Sequence, residues 1–460
     1  MSPHHPTAHL GTTQRPSAEP ATAAPESTTN RATDRNRPRR GVEMPNLFEL
    51  HPGTISFAGG LPDLTDLPAY ELAEHIARRL RLGASTLLQY SPLTVRGPLT
   101  SAITDLTARE HIPASEHLIP TSGSQTALVA VARGLAEPGD AVICESPAYP
   151  GASAAFQFAG LTLVDCPIDE HGLNPNALVE CVKAARRAGH RVRFVYTVPT
   201  FHNPTGITQP PQRRRELMRV CADLDLLVVE DNPYGLLSFT DQTFPALKSI
   251  APERVVYLGT FSKVLAPGLR CGWIDPPTYL HDQLRSATEV LTLSPSALAH
   301  DIVGIISREA GWDALINGYR QRYRAKHESL RRALAESALT DAGWRWTEPS
   351  GGFYLWLTGP DGIDTFQLAE RATQHRVMYV PGCHFAISEH HPYRTCLRLS
   401  FSHCRPDLLA DGARRLACAL TGDLNHTHDS HDIQGSHDTQ GSHDIHDGPR
   451  PLPTDEMTAP

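Results

Sequence analysis

The stretch "TALVAVARGLAEPGD" carries Leu128, Val131 and Leu135 at spacings of three and four before a Pro-Gly stop, which predicts an amphipathic helix beginning near Ser124. Around it, apolar runs of strand length recur: "AVICESP", "LTLVDCP", "RFVYTVP", "LLVVEDN", "VVYLGTF" and "CGWID". They are separated by stretches such as "PQRRRELMRVCADLD" that suit helices. Alternation of this kind predicts a large α/β domain with a mainly parallel sheet flanked by helices. Beyond about Pro295 the pattern changes to a long helical region, "YRQRYRAKHESLRRALAES", followed by "GGFYLWLTG", "RVMYVPG" and "CLRLSFS". Helix and strands without strict alternation predict a smaller α+β domain.

Both ends break the pattern. Met1 to about Arg40 is rich in Pro, Thr, Ala and Arg with almost no large apolar residue, too little to offset the entropy of ordering. From Thr421 onward runs an imperfect repeat of Ser-His-Asp units. Such a tract can bind divalent metals weakly, but its composition is that of a solvated tail. The expected organisation is a disordered arm over 1–42, a segment 43–84 contributing to the small domain and the active site, a large domain over 85–300, a small domain over 301–420 and a disordered tail over 421–460.

Composition narrows the class. The chain has 460 residues, 40% hydrophobic and 20% charged, enough for a large core in two lobes. A formal net charge of −8 gives no basic footprint for nucleic acid or anionic lipid. No run approaches the roughly 18 apolar residues of a membrane span, and the polar N-terminus lacks the apolar core of a signal peptide. Nine cysteines are scattered singly with no CxxC pair, so neither a disulfide framework nor a zinc site is expected. The expectation is a soluble, cytoplasmic protein working on small molecules, without metal, membrane or nucleic acid.

Polar residues of interest sit where the core strands end, at the crevice that open α/β sheets use for ligands. "TSGSQT" puts Gly123, Ser124 and Gln125 at a strand-to-helix turn, where free backbone N–H groups and the helix dipole can hold a phosphate. An ordinary cap with Ser124 as the capping residue is the plainer alternative. "CESPAYP" leaves Tyr149 after a strand, "TFHNPTG" leaves Asn203, and "VVEDNPY" leaves Asp231 and Tyr234. "TFSKVLAPGLR" sets Lys263 behind an apolar run, with Arg270 further along. Each alone reads as a turn or surface residue.

Taken in order, "SGSQ", "SPAY", "NPTG", "EDNPY", "TFSK" and "PGLR" resemble the aminotransferase class I and II family, the fold type I pyridoxal-phosphate enzymes, over roughly Ile55 to Leu420. Through "ISFAGGLPD" and "FSKVLAPGLR" the chain looks closest to the 2-aminoadipate aminotransferase subgroup. The resemblance implies pyridoxal 5'-phosphate held as a Schiff base by Lys263, whose freed amine then moves the proton at the substrate α-carbon. It implies Asp231 against the pyridine nitrogen, keeping it protonated. Asn203 and Tyr234 would hydrogen-bond the ring oxygen, and Tyr149 would stack on the ring. Gly123, Ser124, Gln125, Thr260, Ser262 and Arg270 would form the phosphate cup. Arg398 in "CLRLSF" would take the substrate carboxylate as a bidentate fork, with Gly60 letting backbone approach that carboxylate and Asn203 beside it. Tyr90 would reach the phosphate of the neighbouring subunit, which implies a homodimer with shared active sites.

The implied reaction exchanges an amino group between an amino acid and a 2-oxo acid. Two departures bear on the substrate. Val95 stands where the family usually has glycine, with Gly97 two residues later, and the segment "VEMPNLFELHPGT" carries Glu43 and Glu49 but no arginine to read a distal carboxylate. With Leu47, Phe48, Tyr90, Leu93 and Val95 expected around the pocket, aromatic or branched apolar side chains are the expected preference over 2-aminoadipate. A lyase, decarboxylase or cyclase on the same scaffold is the alternative among enzymes. The other alternative is a cofactor-binding regulatory domain, which would need a DNA-binding domain ahead of it where this sequence has a Pro-rich arm.

Overall fold

The computed structural model describes residues 52–422 apart from Asp66, Thr94, Arg96, Ala310 and 389–392. The arm, the tail, and Glu43, Leu47, Phe48 and Glu49 lie outside the described residues. In chain order the strands are β1 (Ile55–Ser56), β2 (Ile119–Thr121), β3 (Ala141–Ser146), β4 (Thr162–Asp169), β5 (Gly172–Leu173), β6 (Val192–Thr197) and β7 (Leu227–Asp231). They continue as β8 (Val255–Thr260), β9 (Gly272–Asp275), β10 (Arg345–Trp346), β11 (Tyr354–Thr358), β12 (Val377–Met378), β13 (Val380–Pro381) and β14 (Cys396–Ser400).

Among the described residues, eight strands form one sheet in the order β2-β9-β8-β7-β6-β3-β4-β5. Its centre, β8-β7-β6-β3-β4, is parallel, whereas β9 runs antiparallel to both neighbours and β5 is antiparallel to β4. The near-continuous apolar runs follow from burial on both faces. Val142, Phe194, Val229 and Val256 pack on one face with the helices Ser124–Leu135, Pro150–Phe158 and His281–Thr292. Ile143, Val195, Val228 and Val255 pack on the other with Pro175–Arg187 and Pro211–Asp223. Successive residues of one strand thus serve opposite layers, as the period of two requires.

A second, antiparallel sheet has the order β10-β11-β14-β13, covered by the long helix Trp312–Ala335 and by Leu409–Thr421. The segment ahead of the first helix, Ala69–Leu87, belongs with this smaller unit. β1 pairs in parallel with β12, the Ser400 amide donates to the Phe57 carbonyl at 2.7 Å, and Phe57 is fully buried. No single helix among the described residues is long and apolar enough to cross a membrane.

Candidate active site

Because β2 and β8 flank the antiparallel β9, their carboxyl ends and the amino end of β9 meet at one edge. The register aligns Thr121, Gly272 and Thr260 in a row there. Chain leaving β2 turns at Gly123, whose φ of +89° is a left-handed conformation open to glycine. Gly123 is the N-cap and Ser124 the first helical residue, with no side-chain capping bond. Ser124 therefore does not cap this helix, and its amide is one of those left free at the helix start. Arg270, itself in the αL region, donates to the Ser122 carbonyl at 2.9 Å. A Cβ on Gly123 would lie 2.5 Å from Arg270 Nη2. Guanidinium and helix N-terminus therefore face one another across a glycine, a cradle for an anion. The Ser262 amide donates to Thr260 Oγ1 at 3.1 Å, and Thr260 Oγ1 donates to Ser262 Oγ at 3.0 Å, fixing the turn that ends β8. Gln125 Nε2 donates to the Gly151 carbonyl at 2.8 Å, beside Tyr149.

Lys263 follows that turn. Its Nζ donates to the Gly60 carbonyl at 2.7 Å and lies 5.8 Å from the centroid of the Phe353 ring. Burial lowers its pKa to about 8, with the positive charges of Arg398 and Arg270 acting the same way and Asp231 opposing. Asp231 ends β7, almost wholly buried. Burial raises its carboxyl to about 6, opposed by a hydrogen bond from Tyr196 and the charge of Lys263. The Tyr196 hydroxyl donates to Oδ2 at 2.8 Å, while Oδ1 is buried without a hydrogen-bond partner. An orphaned carboxylate oxygen is costly unless a donor completes it.

Across the crevice stands Arg398 of β14, 4% exposed and so no surface arginine. Its Nη1 donates to Asn203 Oδ1 at 2.8 Å and its Nη2 to the Ala58 carbonyl at 2.6 Å, while Nε has no partner. The guanidinium carbon lies 4.4 Å from the centroid of Tyr354 and 5.1 Å from that of Phe385. The Tyr354 hydroxyl is 3.0 Å from that of Tyr234. Asn203 is presented by a turn in which His202 Nδ1 meets Thr205 Oγ1 at 2.9 Å. Behind it the buried Glu145 accepts from Thr197 at 2.6 Å and from the Val198 amide at 2.8 Å. Burial pushes the Tyr149 phenol up; Asp231 and Tyr354 add to the rise, and Arg398 and Arg270 oppose it.

The structure brings together Gly60, Tyr149, Asn203, Asp231, Tyr234, Lys263 and Arg398, with Gly123, Ser124, Gln125, Thr260, Ser262 and Arg270 along the adjoining edge. Tyr90 is not in that buried group. It is 75% exposed, and Leu93 and Val95 turn inward, Val95 packing against the main core cluster. Sequence reasoning missed Tyr196 and Tyr354. Tyr196 pairs in register with Val229, two residues from Asp231 and on the same face. Tyr354 lies two residues from Trp356, the residue opposite Arg398, and so shares its face. The available signal was strand alternation, which also serves the core. Among the described residues there is no group of three or more His, Cys, Asp or Glu side chains suited to a metal ion.

A model of the aminotransferase class I and II family matches residues 58–416. The chain belongs to that family. It is 35% identical to aromatic-amino-acid aminotransferase 1 of Thermococcus litoralis, covering 79% of this chain and 87% of that one. It is 34% identical to the 2-aminoadipate transaminase of Thermus thermophilus, covering 81% and 91%. Among solved structures it resembles the Thermus thermophilus α-aminoadipate aminotransferase LysN complexed with N-(5'-phosphopyridoxyl)-L-leucine, at TM-score 0.74 and 34% identity over 81% of this chain and 93% of that one. The fold is type I, the cofactor pyridoxal 5'-phosphate and the activity transamination. The aminotransferase reading therefore stands over the lyase, cyclase and regulatory-domain alternatives. The residues present fit the cofactor, since Asp231 Oδ1 lacks a donor and the cradle between Gly123 and Arg270 admits no Cβ.

Proposed function

We propose that this aminotransferase attaches its cofactor at Lys263 and exchanges amino groups between an aromatic or branched apolar amino acid and a 2-oxo acid. The observation that carries the site assignment is a largely buried lysine, Nζ on the Gly60 carbonyl, within the electrostatic reach of a buried carboxylate that has one unpartnered oxygen. When bound, pyridoxal phosphate supplies an aldehyde for amines and a ring that draws electrons from the α-carbon. Asp231 Oδ1, which has no partner among the protein's groups, would hold a proton at the ring nitrogen. Lys263 Nζ, once released, would take and return the α-proton of the substrate. Asn203 and Tyr234 would hydrogen-bond the ring oxygen and Tyr149 would cover the ring. Gly123, Ser124, Gln125, Thr260, Ser262 and Arg270 would hold the phosphate. Arg398 takes the α-carboxylate, with Ala58 and Gly60 as the adjoining wall.

Phe353, Tyr354 and Phe385 around the two cations support an uncharged side-chain pocket. So does the name of the Thermococcus litoralis relative, an aromatic-amino-acid aminotransferase. Glutamate serves as the general amino donor. We read the protein as a homodimer in which Tyr90 meets the partner's phosphate. Supporting this, Leu82, Leu88, Tyr90, Val290 and Leu293 are each at least 61% exposed, and Ser91 hydrogen-bonds Ser294, tying the two segments together. Nine free cysteines support a reducing cytoplasm, and a role in amino-acid biosynthesis accords with the reaction. The large sheet over 119–275 and the small one over 345–400 support a cofactor domain over 85–300 and a small domain over 301–420, with 43–84 serving the small domain and the site.

The test is borohydride reduction of the yellow protein followed by peptide mapping, then kcat/KM for phenylalanine, leucine, arginine and 2-aminoadipate against one oxo acid. Cofactor fixed at Lys263 and a preference for phenylalanine or leucine are expected. Attachment elsewhere would end the site assignment. A preference for 2-aminoadipate of about tenfold, one hydrogen-bonded contact's worth, would end the uncharged pocket.

A further inference from the structure

We propose that Tyr354 is a positioning residue that strengthens Tyr234 as a donor and holds Arg398 flat for its carboxylate. Tyr354 begins β11, 2% exposed. Its hydroxyl lies 3.0 Å from the Tyr234 hydroxyl and its ring lies under the Arg398 guanidinium, 4.4 Å away. Gly60 makes room for it, since a Cβ there would come within 2.0 Å of Tyr354 Oη. One side chain thus packs against Gly60, whose carbonyl accepts from Lys263, and touches the ring-oxygen tyrosine and the substrate arginine.

Each phenol has one proton to give. Resting on the reading above, Tyr234 directs its proton to the cofactor's ring oxygen, so the bond between the two hydroxyls is donated by Tyr354. A phenol that accepts a hydrogen bond becomes a better donor, because the two bonds polarise one another. A stronger bond from Tyr234 draws charge from the ring oxygen, and the nitrogen joining cofactor to Lys263 then holds its proton less tightly. Burial keeps the Tyr234 phenol well above its ordinary range, so both bonds persist across working pH. The ring acts separately: Arg398 Nε has no hydrogen-bond partner, and the aromatic face beneath it resists rotation of the fork.

The experiment is a pH titration of the visible absorbance of the resting holoenzyme, without substrate, in wild type, Tyr354→Phe, Tyr234→Phe and the double variant, with KM measured alongside. Tyr354→Phe should raise the midpoint by about half a pH unit, Tyr234→Phe should raise it further, and the double variant should match Tyr234→Phe alone. KM for the amino acid should stay within about twofold in Tyr354→Phe, which keeps the ring, and rise about tenfold in Tyr354→Leu, which loses it. An unmoved midpoint in Tyr354→Phe, additive shifts in the double variant, or an unchanged KM in Tyr354→Leu would overturn the proposal. A wild type with no visible band would overturn the cofactor reading along with it, whereas a banded wild type with an unmoved variant overturns this proposal alone.

Discussion

The Tyr196 hydroxyl donates to one oxygen of Asp231 at 2.8 Å and the other oxygen has no protein partner. This asymmetry makes the carboxylate expensive to ionise by itself and useful to a ring nitrogen that brings its own proton. In the cofactor-free protein the folded carboxyl titrates near 6, against 3.8 for an ordinary aspartate. Between those values the unfolded chain binds fewer protons than the folded one, so stability falls as pH rises through the window. Asp231→Asn has no proton to lose there. Its unfolding temperature without cofactor should gain on wild type from pH 4 to pH 6, by an amount corresponding to on the order of 3 kcal/mol at most. A difference constant across that range would show that Asp231 is not strained by burial. With cofactor restored, the same variant should lose roughly a hundredfold or more in kcat.

Arg398→Lys should raise KM for amino acids and 2-oxo acids about 10- to 100-fold with a smaller effect on kcat. A lysine keeps the charge but neither the two-pronged fork nor the guanidinium contact over the Tyr354 ring. Steady-state kinetics with both substrate types decide it, and a KM within twofold of wild type would remove Arg398 from carboxylate binding.

Gly123→Ala forces a side chain into a left-handed backbone position and against Arg270. Cofactor affinity should fall about tenfold or more, read by spectroscopic titration of the stripped protein. The stripped protein itself should melt within several degrees of wild type, as the backbone strain costs on the order of 1–3 kcal/mol. Unchanged affinity would place the phosphate elsewhere.

Truncation after Gly422 should leave activity and melting temperature unchanged, because the Ser-His-Asp repeats beyond it offer no apolar face to dock. Truncation after Arg415 should cost many degrees or prevent folding, since it removes the buried Leu416, Ala417, Ala419 and Leu420. Thermal melts of the two truncated proteins separate these outcomes, and a large loss in the first would make the tail part of the fold.

The large sheet was legible in the sequence because both its faces are buried, leaving runs such as "VVYLGTF" with almost no polar interruption. Asp231 and Lys263 stood out where such runs end. Tyr196 and Tyr354 did not, because each also fills a place in the alternating core pattern. Their hydroxyl contacts depend on strand register, which local composition does not encode. The smaller sheet was harder to read, with β10 and β13 only two residues each. β1, also two residues, finds its partner in β12, a pairing with no local signal at either end.

That pairing governs how the chain can be dissected. Ala58 and Arg398 are hydrogen-bonded across 340 residues of sequence, and Gly60 and Lys263 across 203. A fragment begun at the helix Ala69–Leu87 would keep every charged side chain of the site, yet it would strip Arg398 and Lys263 of these two backbone acceptors. Neither sheet, expressed by itself, would carry a working half of the enzyme. The ends of the folded chain are inherited together, and rearranged versions of this protein will succeed only where Ile55–Gly60 remains joined to the strand that bears Arg398.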